Sequence, residues 1–550
     1  MLTAEPLGSV VPIEPASMPG RTVIQWDKDD LAPVGLVKID LLGLGMLSLL
    51  QRAFDRARET RGVELALHTL PADDPETYAM IRRADTVGCF QIESRAQMSA
   101  LPRNAPERFY DLVVQVALIR PGPIQGEMVH PYLERRRGRE AVTYLHPVLE
   151  PVLKRTLGVP LFQEQGMRVA VVAAGFTPAR ADELRRAMGH RRSSERMETL
   201  ARELTCGMES RGIAPETAAR IVKQLAAFAS YGFPESHAAS FALLVYASAY
   251  LKRHFAPEFY AALLDAQPMG FYSVGSIVAD AKRHQVEVRP PDVALGAWEA
   301  TLEPTPKGAH GHALRLGLGL ITNLGAQTRD ALEAARDERA FASIEDFARR
   351  SRLPRHLLEA LARAGALDSL LPETEARDRR RALWEVLRVA RAPAGPLDRR
   401  PPDQAPLALP APSAMEQTAF DYASYGASTR HHPMEHLRQR CQRAGMPTFA
   451  EAQARQAGPL RVTGLVTSRQ RPGTAKGFVF LALEDETGML NVIVRPDLFA
   501  RRRDVITDHP VLVIAGKLER RDDVVNLLAE QVDFVHQGHG AEASRSHDFH

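Results

Sequence analysis

The chain has 550 residues, 45% of them hydrophobic, and a formal net charge of +3, material for roughly three to four domains. No apolar run reaches the roughly 18 residues of a membrane-spanning helix, and Met1-Leu2-Thr3-Ala4-Glu5 has neither the basic nor the apolar part of a signal peptide. Cys89, Cys206 and Cys441 are far apart and odd in number, which excludes a disulfide framework and a zinc spacing and fits a reducing cytoplasm.

After about thirty extended, Pro-rich residues, Val37, Ile39 and Leu41 alternate with Lys38 and Asp40, predicting a strand with one buried face. Lys38 and Asp40 share the other face, where Asp40 suits a hard cation such as magnesium and Lys38 a phosphate. A surface ion pair on an edge strand is the competing reading. Two-metal chemistry needs several carboxylates, and no convincing second set precedes this one. A helix is predicted over Met46 to Thr60, and helical periodicity dominates from Asp74 to Pro268, broken by loops such as Arg120-Pro121-Gly122-Pro123. Residues 270–370 mix short strands with helices, and a Pro-rich linker follows near 390–415. From Leu460 to Phe534 closely spaced strands predict a small Greek-key barrel of the OB type, and the polar tail after Val535 is predicted to be disordered.

Several constellations lie along this framework. Basic side chains are mostly Arg, clustered in Arg135-Arg136-Arg137-Gly138-Arg139 and over Arg180 to Arg196, runs that commonly form solvated faces. Arg120 sits at a rigid bend that suits phosphate, or serves only the turn. Arg185, Arg186 and His190 lie towards the basic end of a helix; they could grip a triphosphate or a template, or merely answer the helix dipole. Ser236 and His237 open a Pro-initiated helix whose amides could meet a phosphate, the alternative being a simple cap. Asn323 and Gly325 before one helix, and Arg355 at the start of another, suggest helix-hairpin-helix units that hold backbone phosphates. Glu484-Asp485-Glu486 reads as solvated turn charges rather than a metal site.

In this order the segments resemble the bacterial C-family DNA polymerases, related to the polymerase III alpha subunit, across about residues 5–535. Val37-Lys38-Ile39-Asp40 resembles the palm strand bearing the third catalytic aspartate. Gly88-Cys89-Phe90-Gln91-Ile92-Glu93-Ser94, Leu118 to Ile124, Leu184 to Gly189 and Ser236-His237-Ala238-Ala239 resemble palm and fingers motifs. Arg21 to Asp30, Arg469 to Ala475 and the ending Ser546-His547-Asp548-Phe549-His550 point to the error-prone sub-branch. The resemblance implies a multidomain α+β fold. Its parts are a partial palm at 1–72, helical fingers at 73–268, a helix-hairpin-helix region at 269–372, a linker with connecting helices at 373–455, an OB domain at 456–536 and a polar tail at 537–550. It implies DNA-directed DNA synthesis in damage tolerance and repair, by attack of a primer 3′-hydroxyl on an incoming nucleotide. Asp40 would ligate Mg2+, Lys38 and Arg120 would neutralise phosphates, and Arg185 and Arg186 would grip the triphosphate, with His190, Ser236 and His237 as further candidates. Asn323, Gly325 and Arg355 would hold duplex, and Phe478 or Phe480 single-stranded template.

The departure from the family is the upstream Asp-x-Asp segment of the palm and the PHP domain, neither of which this sequence contains. Asp27-Lys28-Asp29-Asp30 mimics the spacing but corresponds to another stretch. The expectation is therefore a C-terminal portion, inactive alone unless the missing half is supplied in trans. Expected partners are primer-template DNA, deoxynucleoside triphosphates and a clamp-binding accessory mutagenesis protein. A non-catalytic DNA-binding or partner-binding fragment is the alternative.

Overall fold

The computed structural model describes residues 5–16, 20–26, 43–120, 129–189, 194–229, 232–372, 378–391, 409–472, 475–521, 524–535 and 547–549, with side chains except at 186–189, 194–197, 226–229, 391 and 547–549. The predicted palm strand, with Lys38 and Asp40, lies outside the described residues, as does most of the Pro-rich linker. The described chain divides into two compact units, Met1–Gly45 with Val142–Pro234, and Met46–Ala141 with Glu235–His550.

The first unit contains a short antiparallel hairpin, β1 (Ile13–Pro15) and β2 (Thr22–Ile24). It also contains a helical core in which Val169, Ala173, Leu184, Leu200, Leu204 and Ile221 pack together. Arg180, from the second basic run, is held by Glu203 across helices at 2.9 Å and also pairs with Glu183. Part of that run is therefore spent on helix–helix pairing.

The second unit begins with α1 (Leu44–Arg61), one turn or less from the predicted bounds because the apolar stripe Met46, Leu49, Leu50, Ala53, Phe54, Ala57 sets its buried face. Next come α2 (Pro75–Arg82), capped by Asp74, then α3 (Arg95–Asn104), capped by Ser94, and α4 (Phe109–Leu118). Helix α4 packs on α5 (Glu235–His254), which is rich in Ala and buried on most sides from Ala238 to Lys252. Helices α6 (Ala256–Asp265) and α7 (Val274–Arg283) complete this base. The first basic cluster is not a solvated face: Arg136 bonds Asp111 at 2.8 Å, and Arg137 donates to the carbonyls of Arg103 and Pro102 at 3.1 and 2.8 Å.

A small sheet of β3 (Val288–Arg289), β4 (Thr301–Pro304) and β5 (His312–Arg315) leads into α8 (Ala326–Glu338), α9 (Ile344–Ser351) and α10 (Arg355–Arg363). The C-terminal strands β6 (Gly458–Gln470), β7 (Val479–Asp485), β8 (Gly488–Val494), β9 (Val511–Arg521) and β10 (Val524–Phe534) close on themselves. Their order is β6-β7-β8-β10-β9, and β9 returns to β6, so the sheet is a closed barrel of OB type. Val462, Leu481, Leu483, Val492, Ile514 and Leu527 fill it, and Phe449 plugs it under Gly464, where an added Cβ would lie 2.4 Å from the Phe449 ring. The tail is not wholly irregular. His547–Phe549 forms a strand parallel to Ser468–Gln470, a stretch of β6 that extends beyond its pairing with β9. Among the described residues no helix is long and apolar enough to cross a membrane.

Candidate nucleic-acid interface

The loop Gly88–Ser94 is built around a left-handed glycine: Gly88 has φ +77°, and an added Cβ would meet Leu263 at 2.5 Å. Its amide donates to the buried Glu93 carboxylate at 2.9 Å. Burial pushes the Glu93 carboxyl up to about 7, although the Gly88 amide, Lys252 and the Phe271 amide pull the other way.

Beside this loop Asp85, Asp280 and His284 bring three metal-type donor atoms within 4.8 Å of one another. The fully buried Lys252 already stands among them, its Nζ 2.8 Å from Asp280, 3.2 Å from Asp85 and 3.1 Å from the Val87 carbonyl. Burial alone would depress that ammonium; Asp280 and Asp85 outweigh it and hold the pKa above its ordinary value. His284 Nε2 donates to Asp85 at 2.9 Å, and Tyr260 donates to Asp280 at 2.6 Å. The cluster is neutralised from within and does not fit magnesium, which needs open oxygen ligands rather than an ammonium in their midst.

The acidic triad is likewise committed to structure, not to solvent. Glu484 accepts from Arg283 at 2.9 Å and from the Ser276 hydroxyl at 3.0 Å, tying the barrel to α7. Asp485 accepts from Arg438 at 2.9 Å and from the Phe449 amide at 2.8 Å, and Glu486 also pairs with Arg438. Glu484 and Asp485 are buried. The expectation of solvated turn charges fails because the turn is covered by other elements.

The barrel's outer face behaves differently. Along β7 and β8, Leu481, Leu483, Leu490 and Val492 point into the core, so Phe480, Ala482, Asn491 and Ile493 point outward. This face borders a cleft of about 470 Å³ lined by Arg83, Arg95, Phe271, Gln470, Asn491 and Arg520. Arg95, in the first turn of α3, donates to the Leu481 and Val492 carbonyls at 2.9 and 3.0 Å. Its guanidinium lies 4.8 Å from the Phe480 ring centre. Burial lowers its pKa to about 9, still cationic at neutral pH. Phe478 is half-buried at the edge of the same barrel.

In the hairpin region Asn323 adopts φ +69°, and Gly325 precedes α8 without a side-chain cap. A Cβ built on Gly325 meets nothing within 4 Å, so the start of α8 faces open space. Helix α10 follows Pro354, also without a side-chain cap, and its Arg355 pairs with Glu359 at 2.6 Å. Uncapped helix starts of this kind present amides to anions.

The remaining expected residues are dispersed. His190 and the Arg186 side chain lie outside the described residues, while Arg185 pairs with Asp182 at 2.9 Å. Arg120 is half-buried, and burial lowers its pKa. Ser236 is exposed in the first turn of α5, and the His237 ring lies tilted against Phe241 with centres 4.1 Å apart, where Phe90 of the glycine loop also packs edge-on at 5.1 Å. Sequence reasoning missed Arg83, Arg95, Gln470, Asn491 and Arg520; the signal available was Arg95, the residue directly after the Gly88–Ser94 motif.

Family models match the chain in consecutive blocks. They are the bacterial DNA polymerase III alpha NTPase domain at 1–43, the finger domain of the same subunit at 46–212, a helix-hairpin-helix motif at 285–382 and an OB-fold nucleic acid binding domain at 460–535. The first two blocks are of one and the same subunit, and the protein belongs to the bacterial DNA polymerase III alpha, or C, family. Within it, the chain is 50% identical to "Error-prone DNA polymerase" of Anaeromyxobacter sp. (strain K), over all of this chain and 49% of that protein. It is 47% identical to the protein of the same name from Pseudomonas paraeruginosa (strain DSM 24068 / PA7), over all of this chain and 53% of that protein. The chain thus spans about half the length of the curated relatives it matches.

Proposed function

We propose that these 550 residues form the fingers, hairpin and barrel portion, with one palm strand, of an error-prone DNA-directed DNA polymerase of the cytoplasm, acting in damage-tolerant synthesis and repair. The observation that carries this reading is 50% identity across the whole chain to a relative bearing that name. In it the barrel face and the hairpin starts hold nucleic acid, single strand and duplex respectively. Asp40 is the proposed magnesium ligand, and Lys38, Arg120, Arg185 and Arg186 are the proposed phosphate contacts, with His190, Ser236 and His237 beside them. The substrates are primer-template DNA and deoxynucleoside triphosphates, and a clamp-binding accessory mutagenesis protein is the proposed recruiting partner.

One magnesium-binding carboxylate is too few for two-metal catalysis. A polypeptide of these 550 residues is therefore expected to bind primer-template DNA steeply salt-dependently yet not to extend it. Extension is expected on mixing with a polypeptide carrying an upstream Asp-x-Asp palm segment, and Asp40→Asn should abolish it. Lys38→Ala should cost less. Extension by the 550 residues alone that survives Asp40→Asn would overturn the assignment of Asp40.

A further inference from the structure

The geometry points to Arg95 as the residue that decides how the barrel reads a single strand: it covers Phe480, so the β7–β8 face grips the sugar–phosphate backbone rather than stacking bases. This inference rests on the reading of the barrel as a single-strand binder.

Aromatic side chains on an OB face ordinarily serve as stacking platforms, because every base has a π-face. Phe480 points outward from β7 and is placed for that role. Yet the Arg95 guanidinium lies over its ring, 4.8 Å from the centre. The same guanidinium crosses the β7–β8 ladder, where Leu481 and Val492 are cross-strand partners, and donates to both carbonyls at 2.9 and 3.0 Å. Ser94 fixes the approach by capping α3 one residue earlier. A base that stacked on the covered side of the ring would have to displace two hydrogen bonds from a charged donor together with the cation–π contact.

No carboxylate pairs with Arg95 among the described residues, and its contacts are carbonyls and a ring, so its positive charge stays available to the cleft. Arg83 is exposed on the same cleft, and Arg520 reaches it while donating to the Gln453 carbonyl. The wall also holds Arg283, paired with Glu484 and Asp280, and the carboxylates Asp85, Glu93 and Asp280, of which Asp85 and Asp280 are held by Lys252. Arg83, Arg95 and Arg520 are the lining cations with no carboxylate partner among the described residues, and Gln470 and Asn491 share the wall with them. That set suits phosphates and sugar edges, and it makes Arg95 a specificity-determining residue rather than a passive strut.

The test compares binding of a short oligo-dT with an abasic oligonucleotide of the same length by fluorescence anisotropy at low salt, using the full chain. The wild type should bind both within about twofold, and Phe480→Ala should leave that ratio unchanged. Arg95→Ala should raise the preference for oligo-dT roughly fivefold or more, the scale of one base–aromatic stack. The double variant Arg95→Ala/Phe480→Ala should lose the gain. Arg95→Lys, which keeps the charge without the planar fork, guards against a folding defect and should fall between. A Phe480-dependent preference for oligo-dT already present in the wild type would overturn the assignment, as would an unchanged ratio in folded Arg95→Ala. Absence of binding to either oligonucleotide would instead overturn the single-strand reading of the barrel.

Discussion

Two charged regions of the same unit invite comparison. Around Lys252, acidic and basic groups from α5, α7 and the loop before Gly88 meet inside the protein, and the ammonium is fully buried. On the barrel's cleft, Arg83, Arg95 and Arg520 meet carbonyls, a ring or open space, and no carboxylate pairs with them among the described residues. The first region has the donor types of a metal site and is structural; the second adjoins the Gly88–Ser94 and Arg469–Ala475 segments and keeps cations without a carboxylate partner among the described residues. The difference teaches that a charge cluster is informative through its counter-charges. Where the protein supplies them, the energy is spent on folding; where it does not, a ligand can.

The largest effect expected from this contrast is at Lys252. Lys252→Met leaves Asp85 and Asp280 buried without their central cation, and should lower stability by about 3–5 kcal/mol, read as a drop in melting temperature. If the variant melts like the wild type, the cluster is not the structural element described. If magnesium restores the variant but leaves the wild type unmoved, the comparison sharpens, since the ion would then be replacing the lysine.

Glu93 lies between the two regions and offers a pH test. Its folded pKa of about 7 lies above the ordinary 4.5, so the stability of its neutral form is complete below about 4.5 and is lost as pH rises through 7. A shift of that size corresponds to at most about 3 kcal/mol. Glu93→Gln keeps an acceptor for the Gly88 amide without the charge. It should flatten the fall of melting temperature between pH 4.5 and 7. His284, raised by its hydrogen bond to Asp85 and by Asp280 against the opposing effect of burial, slopes the same way at higher pH, so a residual decline above 6.5 is expected to remain. An unaltered profile in the variant would remove Glu93 from the account.

The smallest stability effect is expected at Gly325, where an added side chain meets open space. Gly325→Glu should change stability by less than about 0.5 kcal/mol. It should nevertheless weaken duplex binding several-fold, because it sets a carboxylate at the start of α8, where a phosphate would sit. Duplex affinity equal to wild type, measured by anisotropy, would take that hairpin out of the interface.

Local pattern was enough for the elements that one period describes. The stripe from Met46 to Ala57 predicted α1 to within two residues at its start, and the alternation in 478–494 predicted β7 and β8, because each depends on residues two to four apart. The segment Gly88–Ser94 was legible only as a resemblance to a family motif, and Asn323 and Gly325 only as a short segment before a helix; the left-handed backbone at Gly88 and Asn323 is a finding of the structure. What the sequence could not determine was the fate of each charge. Glu484 meets Arg283, Asp85 meets Lys252 and Arg95 meets Phe480 across separations of 201, 167 and 385 positions, and no period connects them. Whether a carboxylate is solvated, a lysine replaces a metal ion, or an arginine covers a stacking ring depends on which distant surface closes over it. Only the tertiary structure decides that, because desolvation and pairing act between groups adjacent in space.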